Sequence, residues 1–179
     1  MNIVRLVKKA KRGNKEALLQ LIMAEKDDYY RLALTYLGNE HDAMDAMEEM
    51  IVILYEKINQ LKKEEAFYSW SKTILVNCSK TLLRKQKRLM LVDEWESTTE
   101  FGQVLSSDPY LNSAHILDLQ MLFVHLNDNQ KEAIQLKYFH DLDYETIASI
   151  TNVSVGTVKS RVFQGLKKLR EYYGGDVGE

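Results

Sequence analysis

The 179-residue sequence has one cysteine, one proline and only eight glycines. A single cysteine, Cys78, excludes an internal disulfide and any cysteine-based zinc site. Its simplest place is in a core, as a small apolar residue. So few breakers favour long helices over hairpins and tight turns. No apolar run approaches the ~20 residues that a membrane span needs. The opening stretch, Met1 to Lys15, is basic but alternates charge with apolar residues, unlike the apolar centre of a signal peptide. A cytoplasmic protein is expected. Phosphate-binding glycine loops, nucleophile elbows and H-E-x-x-H patterns are also missing. The four histidines, His41, His115, His125 and His140, are dispersed along the chain. Neither catalytic residues, a metal, a cofactor nor a small-molecule substrate is expected.

What is present is a soluble, folded composition, 45% apolar and 28% charged. The length suits one ordinary domain or two small ones. Net charge is −2, but it is unevenly spread. Residues 1–90 carry 17 Lys+Arg against 12 Asp+Glu, a net +5. Residues 91–113 carry no basic residue and five acidic ones: Asp93, Glu94, Glu96, Glu100 and Asp108. Residues 114–179 carry 7 against 9, a net −2. Segregated charge points to different partners or surroundings for each block.

Apolar spacing predicts two all-α blocks. In the first, Ile3, Val4, Leu6, Val7 and Ala10 precede a break at Gly13-Asn14, then Ala17, Leu18, Leu21 and Ile22 continue at helical spacing. A helix from about Asp28 carries Tyr29, Leu32, Ala33, Tyr36 and Leu37 and ends at Gly38-Asn39. The next, from about His41 to Ile58, has Ala43, Met47, Met50, Ile51, Leu54, Tyr55 and Ile58 as one expected inner stripe. Gln60 to Glu65 is a charged loop. A long helix from about Ala66 ends in Arg84-Lys85-Gln86-Lys87-Arg88. Residues 91–113 show no sustained period and hold Ser, Thr, Gly and the lone proline, so they are expected to be a linker. In the second block, helices are expected from Ala114 to about Leu126, Asp128 to Phe139, Tyr144 to Ile150 and Val155 to Tyr172. Gly174-Gly175 is expected to fray.

The stretch from Asp143 to Phe163 reads as a helix-turn-helix. Asp143 and Ser154 can each cap a helix. Ala148 is small enough for a close crossing, Asn152 tolerates a positive φ at the turn, and Val153 fills the gap. Val155, Val158, Val162, Leu166 and Leu169 form the expected inner stripe, leaving Thr157, Lys159, Ser160, Arg161, Gln164 and Lys168 outward. Such residues can meet base edges and phosphates in a major groove. A plain amphipathic hairpin with a solvated basic face is the competing account.

Val155-Gly-Thr-Val-Lys-Ser-Arg161 resembles the "GTVKSR" signature of region 4 in extracytoplasmic-function sigma factors of the sigma-70 family. Leu126-Asn-Asp-Asn-Gln-Lys-Glu-Ala-Ile-Gln-Leu-Lys-Tyr-Phe139 resembles the start of that domain. Tyr30 to Asn39 and His41 to Ile51 resemble regions 2.1 and 2.2. Phe67-Tyr-Ser-Trp70 and Ile74 to Arg84 resemble regions 2.3 and 2.4. The resemblance spans about residues 28–90 and 114–172. It implies a region 2 domain (1–90), an acidic linker (91–113) and a region 4 domain (114–173).

It further implies a factor that directs core RNA polymerase to promoters, with polymerase contacts at the β′ clamp and β flap, promoter DNA as partner and an anti-sigma factor as restraint. Thr157, Lys159, Ser160, Arg161, Phe163 and Gln164 would meet the −35 element. Asn77, Arg84 and Lys85 would meet the −10 element, with the Gln60–Glu65 loop near a flipped base. Asp45, Glu48 and Glu49 would face polymerase, and the linker would thread the active-site cleft and RNA exit channel. The family usually has glutamine at Glu48 and aspartate at Thr81, and often arginine at Gln164.

On the residues alone, the Arg84–Arg88 cluster also fits a solvated basic helix end that suits the helix dipole. The acidic positions equally fit a solvated face. Phe67, Tyr68 and Trp70 are candidate stacking platforms, although Phe67 and Trp70, three apart, also fit a core. A conventional helix-turn-helix regulator would bind DNA alone. A pure interaction module would have no use for the recognition helix.

Overall fold

The computed structural model describes residues 1–93 and 121–174. Every regular element among the described residues is helical. The chain divides into two compact units, Met1–Thr98 and Thr99–Glu179.

In the first unit, α1 spans Ile3–Lys11, α2 Lys15–Ala24, α3 Lys26–Leu37, α4 Glu40–Lys57 and α5 Phe67–Asp93. Asparagine side chains start three of these helices. Asn2, Asn14 and Asn39 accept from the backbone N–H groups of Arg5, Ala17 and Asp42, satisfying donors that a helix N-terminus leaves unpaired. Gly38 ends α3 in the left-handed conformation, φ +80°, which a side chain would strain.

The core gathers around α5. Phe67, Leu75 and Val76 of α5 are fully buried, as are Tyr29, Leu32, Met50, Leu54 and Leu21. Polar ties fix the packing. The buried Tyr29 hydroxyl lies 2.7 Å from Ser71 Oγ, which itself donates to the Tyr68 carbonyl. Lys72 pairs with Glu25 at 2.8 Å. Tyr68 donates to the Leu21 carbonyl. Cys78 is buried, as its residue type suggests.

Three expectations need correction here. Ile51 and Tyr55 of α4 are exposed, not part of its buried stripe. The inner face is narrower, built from Ala43, Ala46, Met50 and Leu54, because α3 and α5 together cover only that side. The Gln60–Glu65 segment is not simply a charged loop. Two 3-10 turns, Ile58–Gln60 and Glu64–Ala66, flank a buried Leu61. Finally, α5 runs to Asp93, so the first three positions of the expected linker, 91–93, continue the helix. The remaining linker positions lie outside the described residues.

In the second unit, residues 121–123 are helical, α6 spans Asp128–Ile134, α7 Tyr144–Thr151 and α8 Val155–Tyr173. The earlier part of the helix expected from Ala114 lies outside the described residues, as does Gly175. Asn127 and Gln130 form a reciprocal capping box at the start of α6. The helix expected as far as Phe139 changes character after Ile134, where Gln135–Phe139 form a π-helical turn. Phe123, Leu126 and Ile134 form a buried cluster, with Leu169 packed against it.

Candidate nucleic-acid interface

The helix-turn-helix forms as its local chemistry requires. Asp143 accepts from the Thr146 N–H at 2.6 Å and starts α7. Asn152 stops it with φ +56° and ψ +44°, a conformation asparagine tolerates better than most side chains. Ser154 accepts from the Thr157 N–H at 3.1 Å and starts α8. Its hydroxyl also lies 2.9 Å from that of Thr157.

α8 buries Val158, Val162 and Gly165. Leu166, expected inside, is exposed, and Gly165 occupies the inner position instead. The reason is space: a Cβ at Gly165 would lie 2.6 Å from Ile134 Cδ1 and 3.4 Å from Gln130 Cβ. The absence of a side chain lets α8 cross α6 closely.

Opposite this seam, Thr157, Lys159, Ser160, Phe163 and Gln164 are exposed and Arg161 is half-buried. Positions 157, 160, 161 and 164 share one face through i, i+3 and i+4 spacing. Gln164 donates to Ser160 Oγ at 3.3 Å, which orients its amide along the helix. Phe163 is 69% exposed, a large apolar surface with no partner in the core. The ammonium groups of Lys159 and Lys137 lie 5.5 and 4.9 Å from the Tyr144 ring centre. Tyr144 thus holds two cations at the entrance to α7 by cation–π attraction. The sequence reading named Lys159 but missed Lys137, whose neighbour Tyr144 lies seven residues on, across the turn.

In the first unit the residues fall on two helices. Asn77, Arg84 and Lys85 are exposed on α5, with Asn77 and Arg84 on one face at i, i+7. Arg84 donates to the Thr81 hydroxyl at 3.2 Å and to the Lys80 carbonyl at 3.3 Å. Gln86 donates to Asp42 at 2.7 Å, and Asn39 donates to the same carboxylate. These bonds fix the basic end of α5 to the start of α4.

Asp45, Glu48 and Glu49 are exposed and share a face of α4. They stand beside Met44, Ile51, Val52 and Tyr55, which are also exposed. Two of its apolar members, Ile51 and Tyr55, are expected inside from their spacing, which hides this mixed apolar and acidic strip. His41 Nδ1 lies 3.3 Å from Asp45.

The stacking candidates fare differently. Phe67 is fully buried, and Tyr68 and Trp70 are half-buried. Burial pushes the Tyr68 phenol up to about 12 and the Tyr29 phenol higher still. Burial, with the nearby Glu49 charge, raises the Cys78 thiol to about 11. Tyr29 and Cys78 belong to the core, and all three groups are neutral at physiological pH.

Two family patterns match the chain: sigma-70 region 2 over residues 21–89 and sigma-70 region 4 over residues 116–169. The chain is 35% identical over 162 residues to the RNA polymerase sigma factor SigV of Bacillus subtilis, covering 90% of this chain and 94% of that one. The chain belongs to the sigma-70 family, in its extracytoplasmic-function branch. It is a sigma factor, serving promoter recognition in transcription initiation. It is also 29% identical to the extracytoplasmic-function sigma factor SigW of Bacillus subtilis, covering 96% of each chain. Its fold is similar to that of a sigma factor RpoE solved in complex with the anti-sigma factor NepR from Bartonella quintana. There the TM-score is 0.66 at 22% identity, over 88% of this chain and 96% of that one.

Within this sigma factor, the three departures from the family pattern acquire surroundings. Thr81 supplies a neutral acceptor to Arg84, so the guanidinium keeps its full charge toward solvent. Gln164 gives α8 an amide, not a cation, and ties it to Ser160. Glu48 leaves α4 with three exposed carboxylates in five residues.

Proposed function

We propose that α8 lies in the major groove of the −35 element, presenting Thr157, Lys159, Ser160, Arg161, Phe163 and Gln164. Arg161 and Lys159 supply phosphate or guanine contacts, Gln164 and Ser160 hydrogen-bond to base edges, and Phe163 packs on a thymine methyl. The observation that carries this reading is the left-handed Asn152 between two side-chain-capped helices, since it sets the crossing that projects α8 outward.

In the same reading, the carboxylates of Asp45, Glu48 and Glu49 dock on the β′ clamp of core RNA polymerase, with the apolar members of the α4 strip desolvated between them. Asn77, Arg84 and Lys85 hold the −10 element as it opens. Unstacking a base costs a few kcal/mol, and a cationic groove offsets part of it. Because Phe67 is core, the half-buried Tyr68 and Trp70 are the remaining stacking candidates. Residues 1–90 and 114–173 are the working domains, the second also meeting the β flap, and residues 91–113 tether them, which raises the effective concentration of one for its half-site. The factor acts in the cytoplasm, performs no catalysis of its own, and is held in check by an anti-sigma factor. The solved complex of a sigma factor of this fold with an anti-sigma factor supports that last point.

The test is transcription in vitro with purified core polymerase across a genomic DNA library, with and without this protein. Discrete new start sites sharing two upstream elements are expected. DNA binding by the protein alone, with no new starts, would move the reading to a conventional helix-turn-helix regulator.

A further inference from the structure

The first helix carries a face that neither proposed interface uses. α1 buries Val7 and Ala10. Lys11 turns inward, donating to the Leu61 carbonyl at 2.7 Å and pairing with Glu64 at 2.9 Å. On the other side stand Arg5, Lys8, Lys9 and Arg12, all exposed. Their mutual spacings of three, four and seven residues place them on one stripe, about 100° wide on a helix of 3.6 residues per turn.

α1 contains no acidic residue to balance them. None of the four forms a salt bridge among the described residues. The same four side chains, with Asn2 and Val4, line a shallow surface depression whose wall has no carboxylate. Like charges three and four apart repel along a helix. Arg5, near the positive end of the helix dipole, is further disfavoured. The helix holds through its buried face and its cap. At one edge the Lys8 charge also acts on Glu64, while the rest of the stripe remains a concentrated positive charge that an external polyanion would relieve.

We propose that this stripe binds the phosphate backbone of promoter DNA without reading sequence. The inference rests on the chain's role as a sigma factor, which brings promoter DNA to it. From Arg5 to Arg12 the stripe is about 10 Å long at 1.5 Å per residue. That matches about three phosphates along one strand at 3.4 Å of rise each. About three of the four cations can therefore each displace a condensed counterion.

The experiment compares holoenzyme carrying the native chain with holoenzyme carrying Arg5→Gln, Lys8→Gln, Lys9→Gln and Arg12→Gln together. Affinity is measured from low to moderate salt on a mapped promoter fragment and on an unrelated duplex of equal length. The expected result is a plot of log affinity against log salt that is shallower by about two to three on both DNAs, with core polymerase affinity unchanged. A Lys11→Gln control, whose ammonium already has protein partners, leaves the slope unchanged. If the fourfold variant folds poorly, the pairs Arg5→Gln/Lys9→Gln and Lys8→Gln/Arg12→Gln each remove about half of the effect.

An unchanged slope overturns the proposal in every case. If core affinity falls instead, the stripe meets an acidic protein surface. If binding to phosphatidylglycerol vesicles is lost instead, it meets lipid. If nothing changes, it is a solvated face. Loss of start sites by the native chain would mark failure of the sigma reading, and the unrelated duplex still decides the stripe.

Discussion

At Gly165 a side chain has no room. Gly165→Ala pushes a methyl group toward Ile134, which is itself buried, and the expected cost is about 1–2 kcal/mol of overpacking, measured by thermal or urea unfolding. The sequence reading placed Leu166 at this seam, because a periodic apolar residue outweighs a neighbouring glycine when only one helix is considered. The need for a glycine comes from Ile134 and Gln130, some thirty residues away, and no local pattern carries it. Asp143, Asn152 and Ser154 were legible for the opposite reason. Each acts on backbone within three residues of itself, so residue type and position suffice. At Cys78, burial raises the thiol to about 11, so very little thiolate exists at neutral pH. Iodoacetamide at pH 8 is expected to label it only after unfolding. Rapid labelling of the native protein would contradict the burial described.

Among elements, the join between α1 and the Leu61–Glu64 segment has a pH signature. The hydrogen bond from Lys11 lowers the Glu64 carboxyl below its ordinary 4.5. A lowered acid contributes stability that is fully present above its unfolded value and is lost as pH falls through the folded one. Lys11→Met is therefore expected to lower the melting temperature at pH 7, and the difference from the native chain should shrink as the pH is taken well below the ordinary 4.5. An equal difference at both pH values would show that Lys11 acts through packing alone. At the start of α8, Ser154→Ala removes the cap and should cost about 1 kcal/mol of stability. α4 shows where periodicity stops informing. Its apolar residues are numerous enough to fill more than one face, and sequence alone does not say how much of the circumference α3 and α5 will cover. The π-helical turn after Ile134 was equally hidden, since the extra residue in the turn leaves the apolar spacing nearly helical.

At the scale of the molecule, the proposed contacts divide by partner, and the division can be tested. Arg161→Ala should reduce transcription at saturating core polymerase by about five- to 150-fold, the loss of one good base or phosphate contact being about 1–3 kcal/mol, while core affinity stays unchanged. Reversing Glu48 and Glu49 to lysine should do the converse, weakening core binding and restoring transcription only when the factor is in excess. Co-purification with core polymerase and titrated transcription distinguish the two. The proposed division rests on charge and motif that are segregated along the chain. The cations of α1 were legible as composition but not as a surface, since only packing shows which of them Glu64 and Leu61 claim.

The bond between Gln86 and Asp42 has a mechanical meaning. It ties the cationic end of α5 to the first turn of α4 and adds about 1 kcal/mol to their packing. A tilt of one helix therefore meets resistance from the other. In the proposed reading, a partner docked on α4 would feel where the cations of α5 point.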